Sequence, residues 1–140
     1  MKRTDLGESL AFVMIAGYAI FTFMRGLFWF VEDDEVIADS EFYSALNDVM
    51  SIWIWGLLLM IVAIILFAAA WLIPRYRLTN TCQILLIVGG IGASIIYFLM
   101  ASASIYNAIN WLTWAQFAVL TAKSGGMAFI GGMMLNDKRK

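Results

Sequence analysis

Two cations stand where cations are costly. Lys123 lies at the middle of an apolar run covering residues 111–135, and Arg25 lies inside another, residues 10–31. Neither run contains an Asp or Glu, nor do the apolar runs at 49–73 and 84–106. A charged side chain at the bilayer centre costs roughly 2.5–3.5 kcal/mol on insertion scales, so each cation must meet a cavity, a polar partner, headgroups reached by snorkelling, or a second chain. Arg25 is expected roughly 8 Å below the outer boundary, close enough to snorkel or to pair with Glu32 and Asp33 two turns further on. Lys123 has no such route. It is expected to line a polar path with Thr113, Gln116, Thr121 and Ser124, to pair with a carboxylate of another subunit, or to sit at a helix break at residues 124–126 where freed carbonyls meet the ammonium.

Other chemistry is sparse. The chain has no His, which excludes imidazole acid–base catalysis and His metal ligands, and a single Cys, Cys82, which is expected as a reduced thiol at the inner end of the third run. No phosphate-binding, dinucleotide-binding or metalloprotease motif occurs, so no catalytic residue, metal or cofactor is expected and the chain reads as non-enzymatic. Glu32, Asp33, Asp34 and Glu35 form an acidic mouth that would collect cations. Their spacing lacks the EF-hand ladder, and a solvated loop is the reading favoured here. Nucleic acid is not an expected partner, because the net charge is −1 and the cations outside the apolar runs are split over three short sites.

The elements that must position these residues follow from composition. With 63% hydrophobic residues, 14% charged residues and one Pro, the chain departs from soluble domains, whose apolar share is about 45–50%. Each of the four runs exceeds the roughly 20 residues that cross a ~30 Å hydrocarbon core, and helices are the form in which a chain in lipid satisfies its own backbone. The expected fold is an all-α integral membrane protein, a four-transmembrane-helix bundle forming one domain over residues 1–140. Its parts are spans at 10–31, 49–73, 84–106 and 111–135, an acidic outer loop at 32–48 and a basic inner turn at 74–80.

Charge sets the expected orientation. Of nine Lys and Arg, seven fall on one side: Lys2, Arg3, Arg75, Arg77, Lys138, Arg139 and Lys140. The positive-inside rule places that side, and hence both termini, in the cytoplasm, most simply at a bacterial cytoplasmic membrane. Loop 32–48 holds seven of the ten acidic residues and no cation, as an extracytoplasmic loop should. Trp29, Trp53, Trp55, Trp111 and Trp114 gather at the outer ends, where indole rings favour the headgroup level. Within the loop, residues 40–48 read as a short amphipathic helix on the membrane surface, with Phe42, Tyr43 and Leu46 on its apolar side. The first span is expected to remain uncleaved, since Arg25, Phe28, Trp29 and Phe30 stand where a signal peptide needs small residues.

Small residues predict how the spans pack. Gly89 and Gly90 in the third, and Ala118, Ala122, Gly125, Gly126, Gly131 and Gly132 in the fourth, form stripes of the kind that let helix backbones approach. The fourth span is therefore expected to be an interior or interface helix packed on the third. The plan looks like that of many small bacterial or phage membrane proteins, including transporter, holin-like and respiratory-complex subunits. Small multidrug exporters share it but carry a functional Glu in the first helix, and residues 10–30 contain none. The function expected is that of an accessory or structural subunit of an oligomeric membrane complex, in contact with lipid and with other subunits or copies of itself. The alternatives are a self-assembling channel or holin-like pore with Lys123 facing a polar path, and a small-solute transporter.

Overall fold

The computed structural model describes residues 5–31, 41–75, 78–107 and 110–138, and among them it contains five α-helices and no strand. They are α1 (Leu6–Val31), α2 (Glu41–Val49), α3 (Ile52–Trp71), α4 (Thr81–Asn107) and α5 (Trp111–Asp137), with a 3-10 turn at Ile73–Arg75. The four long helices, α1, α3, α4 and α5, are each long and apolar enough to cross a membrane. Large apolar side chains such as Met24, Ile64, Phe98 and Phe129 stay exposed on them, as contact with lipid requires.

Short polar side chains fix where the helices start. Asp5 Oδ1 accepts from Gly7 N (3.0 Å) at α1, Asn47 Oδ1 from Ile52 N (3.1 Å) at α3, and Asn110 Oδ1 from Leu112 N (3.0 Å) at α5. Each satisfies a backbone N–H that the first helical turn leaves without a partner. The second span starts later than its hydropathy suggests, because Ser51 has a non-helical backbone (φ −47°, ψ 135°) that separates α2 from α3 and leaves Val49 exposed.

The long helices pack in the order of the chain, α1 on α3, α3 on α4 and α4 on α5, each antiparallel to the last. The closest crossing joins α1 to α3. A Cβ built on Gly56 would lie 2.5 Å from Gly26 O, and one on Gly26 would lie 2.6 Å from Gly56 O. A second close crossing joins α4 to α5, where a Cβ on Gly90 would lie 2.8 Å from both Ser124 O and Ala128 N. Between them Leu59, Leu66, Ala93, Tyr97 and Met100 are fully buried. Ser94 Oγ donates to Thr121 O (3.2 Å) across α4 and α5, and Cys82 Sγ to Ala69 O (3.4 Å) across α4 and α3.

α2 departs from the expected surface position. Phe42 and Leu46 are 4% and 2% exposed, and Trp55 Nε1 donates to Leu46 O (3.2 Å). The side predicted to be apolar thus closes one end of the core between α3 and α4, which buries its aromatic surface in protein.

One buried bond joins α1 to α4: the hydroxyls of Thr22 and Tyr97 lie 3.1 Å apart, both residues wholly enclosed. Thr22→Val keeps the shape and leaves the Tyr97 hydroxyl without that partner. A loss of about 0.6 kcal/mol is expected, the average for side-chain hydrogen bonds in a membrane protein. Unfolding in mixed micelles followed by Trp fluorescence measures it, and a loss above ~2 kcal/mol would show that the bond carries more than its own strength.

Candidate functional site

α1 and α5 stand at the two ends of this packing order, and long side chains rather than close backbones bring them together. Tyr18 and Arg25 are seven residues apart on α1, as are Gln116 and Lys123 on α5. Seven residues are about two turns, so each pair shares one helix face with its members ~10 Å apart. Antiparallel packing then sets Lys123 opposite Tyr18 and Gln116 near Arg25, one seam with two levels.

At the level of Lys123, the Tyr18 hydroxyl lies 2.5 Å from Ser124 Oγ. Ser124 gives its proton to Leu120 O (2.7 Å), so Tyr18 donates to Ser124. This bond holds the phenol ring flat beneath the ammonium, whose Nζ is 4.6 Å from the ring centroid. At the other level the Arg25 guanidinium lies over two rings, Phe21 at 5.0 Å and Phe117 at 5.1 Å. Cation–π attraction of this kind offers roughly 0.5–2 kcal/mol, more where water is excluded. Among the described residues neither cation has a carboxylate partner, and Arg25 Nη1 is enclosed without any acceptor.

The rings belong to a column. Phe42 of α2 stacks on Phe117 (centroids 5.5 Å apart), Phe117 on Tyr97 (6.2 Å), and Tyr97 tilts against Tyr18 (6.4 Å). The column crosses from α2 through α5 and α4 to α1, with Arg25 and Lys123 attached to its flank. Beside its upper end a cavity of about 500 Å³ is bounded by Arg25, Thr113, Gln116, Tyr43 and the rings of Phe28 and Phe42.

Arg25 and Lys123 share the seam. The acidic mouth, Glu32, Asp33, Asp34 and Glu35, and the expected Arg25 pairing with it lie outside the described residues. The helix break expected beside Lys123 is absent: α5 is continuous through Ser124, Gly125 and Gly126, because i to i−4 bonding persists and Ser124 adds its own bond to Leu120. Thr121 turns away from Lys123 and spends its hydroxyl on Phe117 O (2.8 Å).

The small residues divide into two sets. A Cβ on Gly90 or Gly131 would strike the facing backbone, Gly131 at 2.9 Å from Gln83 O, while Gly89 abuts Leu66 of α3 and Gly125 makes ordinary contact with Ser94. Ala118 and Ala122 are exposed, and a Cβ on Gly126 or Gly132 would meet nothing within 4 Å. α5 is thus not an interior helix of this chain. Of its most apolar stretch 17% is buried, against 44% for α3 and for α4.

Sequence reasoning missed Gly26, Gly56, Tyr18 and Phe117. The spacing of seven between Tyr18 and Arg25 was the available signal for the seam. Cys82 is a buried free thiol, and no three His, Cys, Asp or Glu side chains converge among the described residues. Compared with known protein families, curated proteins and solved structures, the chain matches none.

Proposed function

We propose that this multi-pass membrane protein is a non-enzymatic accessory subunit of a larger membrane assembly, held in the cytoplasmic membrane with both termini inside, and that α5 is the helix it offers to a neighbour. The observation that carries this reading is the uncovered face of α5. Ala118, Ala122 and Gly126 follow one another at four-residue spacing with no helix against them among the described residues, beside an ammonium that lies over the Tyr18 ring and has no carboxylate partner among those residues. Small residues spaced this way admit a second helix at close range, and a carboxylate on that helix would complete the charge of Lys123.

Gly126→Leu fills the space needed by such a helix, and its Cβ would meet nothing within 4 Å among the described residues. It is expected to abolish co-purification of the partner while leaving thermal stability of the isolated chain within about 0.5 kcal/mol, the usual range for substitutions away from packed features. Lys123→Ala is expected to weaken the same complex. Native mass spectrometry in mild detergent reads both. A closed ring of identical chains, with ion flux in liposomes altered by Lys123→Ala, would replace this reading by a self-assembling pore. An assembly unaffected by either substitution would end it.

A further inference from the structure

We infer that the cavity between α1, α2 and α5 is a binding site for an anionic phospholipid, whose phosphate is taken by Arg25 with Gln116 and Thr113 beside it. The inference does not rest on the accessory reading, whose small-residue stripe of Ala118, Ala122 and Gly126 is absent from the cavity lining and whose Lys123 lies two turns from Gln116.

The group at the centre of the site is the Arg25 guanidinium. It carries five N–H donors and a charge that cannot be lost in a protein. Here it is held by two ring faces, and Nη1 has no acceptor among the described residues. Ring faces answer the charge but accept hydrogen bonds poorly, so the donors remain available to an anion. A phosphate presents paired oxygens that match the guanidinium fork, and such charge-assisted bonds are about twice as strong as neutral ones. Seating it requires Nη1 to turn out of its enclosed position toward the cavity that Arg25 already borders. Gln116 and Thr113 supply further donors from the first two turns of α5, where the helix dipole favours negative charge.

The walls point to a lipid rather than a free ion. Phe21, Met24 and Phe28 line the cavity and are 47%, 64% and 52% exposed, so the opening faces the bilayer along α1. Arg25 is six residues, ~9 Å by helical rise, from the end of α1 at Val31. A helix of 26 residues is ~39 Å long and exceeds the ~30 Å hydrocarbon core by a few ångströms at each end, which sets Arg25 just beneath the headgroups. A phosphate of that leaflet reaches it with its acyl chains against the aromatic rim.

The full chain in mild detergent, titrated with phosphatidylglycerol or with phosphatidylcholine of the same acyl chains, tests the site by native mass spectrometry. Phosphatidylglycerol is expected to be retained preferentially, with retention weakened roughly 10- to 100-fold by Arg25→Gln, as loss of hydrogen bonds to a charged group implies. Arg75→Gln, at the opposite end of the molecule, should leave retention unchanged. Equal retention of the two lipids, or undiminished retention by Arg25→Gln, would overturn the inference. Displacement of the lipid by millimolar inorganic phosphate would assign the site to a free anion instead. Should Arg25→Gln lose its helical content, Gln116→Leu decides: its side chain is exposed, a severalfold loss is expected, and no loss refutes the site.

Discussion

Gly56→Leu is expected to drive α1 off α3 and cost about 3 kcal/mol or more, the upper end of the range for overpacking a filled interior. The reason is reciprocal backbone contact. The Cβ alone would lie 2.5 Å from Gly26 O, 2.8 Å from Phe30 N and 3.1 Å from Trp29 C, and none of these atoms can move without moving the helix. Gly89 differs in kind, since its nearest obstacles are side-chain atoms of Leu66 and Ile65, which can rotate. Gly56→Ala should already be measurable and Gly26→Ala should resemble it, because each removes the same approach. Gly17→Ala, with nothing within 4 Å, serves as the reference. Unfolding in mixed micelles ranks the four. A Gly56→Leu chain as stable as the parent would mean that the α1–α3 crossing is not a packed interface.

Phe117→Ala is expected to have the widest effect of any single truncation, about 3–5 kcal/mol on the scale of buried Phe replacements. Phe117 is 5% exposed and sits at the junction of the column, stacked with both Phe42 and Tyr97 and with the Arg25 guanidinium over its ring. Its loss removes the support of α2 and half of the guanidinium's aromatic environment together. Amide exchange across Glu41–Val49 should accelerate, whereas Phe117→Tyr, which keeps the ring, should stay close to the parent. Protection of α2 that survives the alanine would show that Trp55 and the α3–α4 packing hold it without the column.

The spans were legible because lipid imposes one dominant condition, length of apolar chain, and residues 49–73 or 84–106 satisfy it without reference to anything else. What each span faces was not legible on the same ground. In a run apolar all round, Gly26 and Gly56 look like isolated glycines, and only the crossing shows that they meet. Gly89 and Gly90 are adjacent in sequence yet face different helices, which no stripe reveals. The apolar side of α2 was visible in Phe42, Tyr43 and Leu46, but a membrane surface and a protein interior present the same hydrophobicity to it. Lys123 was visible as a charge without a carboxylate. Its ring partner was hidden because nothing in the sequence says that the first span lies beside the fourth.

The packing order has a consequence for synthesis at the membrane. Each backbone interface joins a helix to the long helix made just before it, α1 with α3, α3 with α4 and α4 with α5. Every long helix after α1 therefore leaves the insertion machinery with a docking partner already in lipid, while α1 waits for α3. The joint between the first-made and last-made helices, like the packing of α5 on α4, forms after translation of α5. Among the described residues it includes the hydroxyl bond of Tyr18 to Ser124 and the cation–ring contacts of Lys123 to Tyr18 and Arg25 to Phe117. Made by side chains rather than by close backbones, it is the lightest of the joints between long helices described above.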